Sequence, residues 1–241
     1  MKNVEILYED DFIVIINKPA GLAVQGGKDI KVSLDKLLAE HYSSQNGSPV
    51  PLLVHRLDKD TSGALLAAKG RESAGRFSKI FGAYYDDSGH YSDISGSYGE
   101  VSGNKKKAVK IYTAVCAGRP DKNKGIITEK LIIHGKPKDA ETKYKTIKTN
   151  TLKVNTEFNM EYSILEIELG TGRMHQIRRH LAMNGNPVLG DDKYGDFQLN
   201  KKLKKELGLK RLLLHASRLI IKTENELDIC APLPEYFKQY I

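Results

Sequence analysis

The first apolar stretch, Phe12-Ile13-Val14-Ile15-Ile16, is unbroken and mostly β-branched. It predicts a strand buried on both faces. A shorter strand precedes it across Glu9-Asp10-Asp11, and Lys18-Pro19 and Gly21 end the pair. Leu34, Leu37 and Leu38 then recur at helical spacing behind Ser33, which predicts a helix with a serine N-cap. Gly47-Ser48-Pro49 closes that element. Residues 63–69 read as a buried strand. Residues 71–81 read as a helix with Ala74, Phe77 and Phe81 on one side.

The pattern breaks over residues 82–104, which are rich in Gly, Ser, Tyr and Asp and poor in aliphatics. They read as a long surface loop inserted in the chain. Regular alternation returns at 109–117, with Val109, Ile111, Thr113 and Val115 on one face and Lys110, Tyr112, Ala114 and Cys116 on the other. Further strands are expected near 125–133, 141–148, 161–169 and 212–222. Helices are expected at 173–184, ended by Gly185, and at 234–240, with a basic helix or turn at 201–210. Many strands, few helices and no regular βαβ alternation predict an α+β fold with a central mixed, mostly antiparallel sheet. A single domain over 1–241 is the expected organisation.

Charge narrows the class of partner. The formal net charge is +8, which favours polyanions because a basic surface concentrates phosphates. Two distant cysteines, Cys116 and Cys230, suggest neither a disulfide framework nor a zinc site, so a cytoplasmic protein is expected. No apolar run is long enough to span a bilayer, and no signal peptide is expected.

Two segments carry candidate chemistry. The first is His55-Arg56-Leu57-Asp58-Lys59-Asp60-Thr61-Ser62-Gly63, polar residues crowded against a buried strand. Such crowding makes either a capped turn or a site. Arg56 and Lys59 flank Asp58, and nearby cations keep a carboxylate ionised and nucleophilic. A kinase catalytic loop would need His-Arg-Asp and further parts that are missing. A glycosidase pair of Asp58 and Asp60 is disfavoured, because residues two apart on an extended segment do not face each other across a substrate.

The second segment is Gly170-Thr171-Gly172-Arg173-Met174-His175-Gln176-Ile177-Arg178-Arg179-His180. Here a glycine turn opens a helix whose first turns carry cations, an arrangement that suits anions. The glycines are too few for a dinucleotide fingerprint, and His175 and His180 lack zinc spacing. Ile177 and Leu181 should face the core. Arg178 beside them is then half-buried and needs a carboxylate partner. A solvated basic face is the alternative.

The first segment resembles the His-Arg-Leu-Asp-x-x-Thr-Ser-Gly motif of the A/C/D type of ribosomal large-subunit RNA pseudouridine synthases. The second is similar to that family's Thr-Gly-Arg-x-His-Gln-Ile-Arg-x-His. Asn17-Lys18-Pro19-Ala20-Gly21, the strand around Tyr112, Ala140-Glu141-Thr142-Lys143-Tyr144, Pro187-Val188-Leu189-Gly190-Asp191, Tyr194-Gly195, Leu214-His215-Ala216 and Ala231-Pro232-Leu233-Pro234 follow in family order. The resemblance implies the pseudouridine synthase fold with a catalytic cleft across its sheet. It implies isomerisation of RNA uridines without cofactor or metal. Asp58 would be the catalytic carboxylate, Tyr112 the tyrosine that stacks on the base and assists proton transfer, and Arg178 the arginine paired with Asp58. His55, Arg56, Leu57, Thr61, Arg173, His175, Gln176 and Arg179 would bind substrate.

Large-subunit (23S) ribosomal RNA is the expected partner and tRNA the second choice, with the protein acting as a monomer. An RNA-binding protein with silent catalysis is the competing class. Many relatives carry an N-terminal S4 domain, and here the catalytic motifs begin at once. RNA affinity is therefore expected from Lys105-Lys106-Lys107, Lys201-Lys202, Lys204-Lys205 and Lys210-Arg211.

Overall fold

The computed structural model describes residues 4–27, 30–44, 48–81, 83–85, 91–93, 108–222 and 226–241. The chain divides into two compact units, Met1–Lys110 with Ala216–Pro232, and Ile111–His215 with Leu233–Ile241. The first begins with β1 (Glu5–Glu9), β2 (Ile13–Lys18), α1 (Leu34–Ser43), β3 (Pro51–Leu53), β4 (Ser62–Lys69), α2 (Gly70–Phe81), β5 (Ala83–Tyr85) and β6 (Tyr91–Asp93). The chain continues through β7 (Ala108–Ala117), β8 (Lys124–Ile127), β9 (Leu131–Ile133), β10 (Lys136–Lys138), β11 (Thr142–Lys153) and β12 (Asn159–Leu169). Then come α3 (Gln176–Met183), α4 (Phe197–Leu207), β13 (Leu214–Lys222), β14 (Glu226–Cys230) and a 3-10 turn, Glu235–Tyr240.

In the first unit β2 lies between β1 and β4, both antiparallel to it. Asp10 makes the β1–β2 turn, its Oδ1 accepting from Phe12 N and Ile13 N at 2.8 Å each. The residues from Ile13 to Ile16 are buried on both faces, as their unbroken run predicts, whereas Phe12 precedes the strand and is exposed. Ile13, Ile15 and Leu66 pack with Phe77 and Phe81 of α2 and with Leu219 and Ile221 of β13. Truncating such an aromatic to alanine typically costs about 3–5 kcal/mol. Gly63 opens β4 at φ +114, and a Cβ there would overlap the Ala216 carbonyl, so only glycine admits this approach.

Several expectations change. Ser33 is the N-cap of α1 but its hydroxyl donates to Asp35 and makes no cap bond. The stretch expected as a loop contains the antiparallel pair β5–β6, and the rest of 82–104 apart from these strands lies outside the described residues, as do Lys105 to Lys107. β14, antiparallel to β13, was not foreseen.

The second unit is built on a long hairpin. β11 and β12 pair from Thr142↔Leu169 to Lys153↔Asn159, with a bulge between Thr146 and Lys148. β7 pairs with β12 and β8 with β11, all antiparallel. Residues 109–117 form the expected strand, with Val115 buried as well as Tyr112, Ala114 and Cys116. The hydroxyl of Tyr162 donates to the Tyr240 carbonyl at 3.0 Å and fastens the 3-10 turn. That turn stands where an ordinary terminal helix was predicted. The α+β expectation with a mostly antiparallel sheet holds.

Candidate active site

Asp58 stands on a turn rather than on an extended segment, with Thr61 N donating to Asp58 O at 3.2 Å. Below the turn lies Lys18, fully buried. Its Nζ donates to the carbonyls of Pro19, Leu22 and Lys59, each at 2.9 Å. Gly21 N also donates to Lys59 O at 2.8 Å. The ammonium thus ties the end of β2 to the middle of the Asp58 turn. Burial pushes its pKa down to about 7, opposed by the negative charges of Asp60 and Asp58. Lys18 received no role from its sequence. The signal was there: a lysine ending a strand buried on both faces must find carbonyls or carboxylates.

The other residues of this segment divide by exposure. Arg56 points to solvent and Asp58 is half-buried. His55, Leu57 and Thr61 are buried. His55 stacks on Phe81 with ring centroids 4.2 Å apart, and its Nε2 accepts from Leu66 N at 3.0 Å. Accepting there places the imidazole proton on Nδ1. Burial and then the charge of Lys110 hold the His55 pKa well below the usual histidine value, so the ring is neutral. His55 therefore joins the turn to β4 and α2 from inside the core. Thr61 Oγ1 is buried without a hydrogen-bond partner among the described residues.

In the second unit, Tyr112 is buried on β7, opposite Ile167 of β12. α3 begins at Gln176, three residues later than expected. His175 takes the left-handed conformation before it (φ 54), and its Nδ1 lies 3.0 Å from the Tyr194 hydroxyl. Arg173 therefore precedes the helix, and its Nε donates to Asp139 O at 3.0 Å. Arg179 Nη1 donates to Ile132 O at 3.1 Å.

Gln176, expected to touch substrate, is buried at the centre of a polar chain. Its Oε1 accepts from Thr171 Oγ1 at 2.6 Å and Arg173 N at 3.0 Å. Its Nε2 donates to Glu141 O at 2.8 Å and Thr142 Oγ1 at 3.0 Å. Thr142 Oγ1 also meets His180 Nδ1 at 2.9 Å, and His180 Nε2 faces Glu129 O at 2.9 Å. A nitrogen facing a carbonyl must donate, so Nε2 carries the proton and Nδ1 accepts. Both His180 nitrogens are engaged, which removes it as a metal ligand. Much of this basic segment thus fastens α3 to the β9–β10 hairpin and β11.

Arg178 is fully rather than half buried, and its carboxylate is in hand. Nε and Nη2 donate to the two oxygens of Asp191 at 2.8 and 2.7 Å, and Nη2 reaches Asp192 at 3.1 Å. Asp191 also accepts from Lys193 N and Tyr194 N at 2.9 Å each. Burial alone would raise its pKa, but Arg178 and these two N–H groups lower it on balance. The guanidinium carbon sits 5.3 Å from the centre of the Tyr194 ring. Gly190 (φ +76) lets this loop pass Arg211, whose carbonyl a Cβ would overlap. Asp191 was in view in the sequence, but nothing in the spacing paired it with Arg178.

The chain has known counterparts in sequence and in fold. The RNA pseudouridylate synthase family matches residues 12–183. The ribosomal large subunit pseudouridine synthase C of Rickettsia typhi is 35% identical over 96% of this chain and 69% of its own length. The tRNA pseudouridine synthase C of Salmonella typhi is 32% identical over 98% of this chain and 88% of its own. Among solved structures, the human RNA pseudouridylate synthase domain containing 4 is similar with a TM-score of 0.75. It is 26% identical over 97% of this chain and 90% of that one. The chain belongs to the RNA pseudouridylate synthase family: it is an isomerase that turns uridine in RNA into pseudouridine.

Proposed function

We propose that Asp58 is the carboxylate that initiates this isomerisation, with Tyr112 and Arg178 as its catalytic partners. The reaction breaks the bond from uracil N1 to ribose C1′ and forms one from C5 to C1′. N1 gains a proton and C5 loses one, so no redox or cofactor chemistry is needed. A carboxylate beside the nucleoside opens the glycosidic bond. The freed uracil rotates while stacked on an aromatic ring, and the target must first leave its own stack. Tyr112 supplies that ring and takes part in the proton transfer. Arg178 is the proposed orienting group for the Asp58 carboxylate.

The observation that carries the reading is Asp58 on its turn, half-buried above Lys18, whose Nζ donates to the Lys59 carbonyl within that turn. The burial of Arg178 adds support, since a guanidinium held at one edge by Asp191 is pre-oriented. Arg56, Arg173, His175 and Arg179, half-buried or exposed, suit contacts to phosphate and ribose. His55, Leu57, Thr61 and Gln176 support the site from inside.

Large-subunit ribosomal RNA is the proposed substrate, because relatives at 34–35% identity bear ribosomal names. Transfer RNA is the second reading, carried by the 32% relative. We take the whole of 1–241 to act as one cytoplasmic, monomeric catalytic domain. Among the described residues no helix is long and apolar enough to cross a membrane. The test is release of tritium from C5-labelled uridine in each RNA. Release from large-subunit RNA with none from tRNA supports the reading, the reverse selects tRNA, and no release from either contradicts it.

A further inference from the structure

Residues 196–211 hold six cations against two carboxylates, a large share of the chain's net +8. α4 occupies most of this stretch. Asp196 caps it by accepting from Leu199 N at 2.9 Å, and Gly208 ends it in the left-handed conformation at φ 70. At about 100° per residue, Phe197, Lys201, Lys204 and Lys205 fall within an arc of roughly 100°. Leu203, fully buried, lies on the opposite side. All four stripe residues are exposed, Phe197 to 61%. Lys202 stands outside the stripe and is occupied, its Nζ 3.7 Å above the Phe158 ring.

An exposed aromatic ring in line with three lysines suits single-stranded nucleic acid. A base stacks on the ring and the ammonium groups meet successive phosphates. Phe197, Lys201 and Lys205 are spaced about 6 Å apart along the axis, within reach of flexible lysine stems. The helix is also fixed to the Arg178 site. Asn200 Nδ2 donates to Asp191 O and its Oδ1 accepts from Gly190 N, both at 2.9 Å.

We infer that the α4 stripe of Phe197, Lys201, Lys204 and Lys205 is an RNA docking surface that stacks an unpaired base and holds its flanking phosphates. The choice of polymer rests on the RNA-modifying reading. The stripe contributes affinity and positioning and takes no part in the chemistry. An acidic protein would be held by the lysines without needing the ring, and a second copy of this chain would use the ring without anions.

The test measures binding of the full chain to a short oligoadenylate, which contains no uridine and cannot be a substrate. Phe197→Ala should weaken binding roughly 5- to 100-fold with an unchanged salt slope, as stacking is not ionic. Lys201→Ala/Lys204→Ala/Lys205→Ala should flatten the slope of log affinity against log salt by about 2. Lys145→Ala/Lys148→Ala/Lys153→Ala, an equal charge loss on β11 of the same unit, should leave the slope nearer that of the parent. Equal loss in the two triple variants would reduce the effect to net charge and overturn the proposal. So would unaltered binding by Phe197→Ala, or a concentration-dependent dimer that Phe197→Ala abolishes. Tritium release by the parent protein decides the isomerase reading separately.

Discussion

Arg178 and Asp191 form a bidentate pair with both partners buried, the guanidinium side chain 5% exposed and the carboxylate 0%. Arg178 also reaches Asp192, but that carboxylate is 82% exposed. The two aspartates should therefore differ sharply on substitution. Asp191→Asn removes the buried carboxylate of the pair and should destabilise by about 3–5 kcal/mol. Asp192→Asn should cost less than about 1 kcal/mol. Urea unfolding of the two variants checks this, and equal costs would contradict it. The folded-state pKa of Asp191 is lowered, so its contribution is present above the ordinary carboxylate range and is lost as pH falls through the folded value.

Lys18 should give a pH signature of the same sign in a more alkaline window. A base whose folded pKa is lowered from 10.5 to about 7 releases its proton on folding between those values. The unfolded chain then binds more protons, so stability rises with pH in that window. Relative to Lys18→Met, the parent should gain stability between about pH 7 and pH 10. Denaturant melts of both proteins at several pH values measure the difference, and a flat or falling difference would contradict the burial of the ammonium.

Gln176→Leu removes the centre of the polar chain from Thr171 to His180. Each buried group left unsatisfied costs about 1–3 kcal/mol. The Arg173 amide, which donates to Gln176 Oε1, should exchange faster with solvent. Hydrogen exchange resolved by residue reads this directly. Protection unchanged at Arg173 would mean that Gln176 is not the anchor of the turn.

The buried strand and the α2 face were legible because unbroken β-branched runs and helical spacing report burial directly, as at Ile13 to Ile16 and at Ala74, Phe77 and Phe81. The two polar segments were legible as places where chemistry or capping occurs. What could not be read was partner choice. Nothing in the spacing joins Gln176 to Glu141 or Arg178 to Asp191, because those bonds depend on how β11 and the 190–195 loop return to α3. Nor could the sequence tell buried polar residues from exposed ones. His55 and Gln176 are hydrogen-bonded inside, a distinction that amino-acid type alone does not carry.

The central claim is that Asp58 performs the chemistry, and Asp58→Asn tests it most directly. The substitution keeps the shape of the side chain and removes its charge. Its turn is made by backbone atoms, with Thr61 N donating to Asp58 O, so the fold should survive. Asp60→Asn on the same turn is the comparison. Under single-turnover conditions with saturating RNA, Asp58→Asn should form no pseudouridine while binding RNA within a few-fold of the parent, and Asp60→Asn should remain active. Pseudouridine formed by Asp58→Asn, or chemistry lost in Asp60→Asn with normal binding, would contradict the assignment.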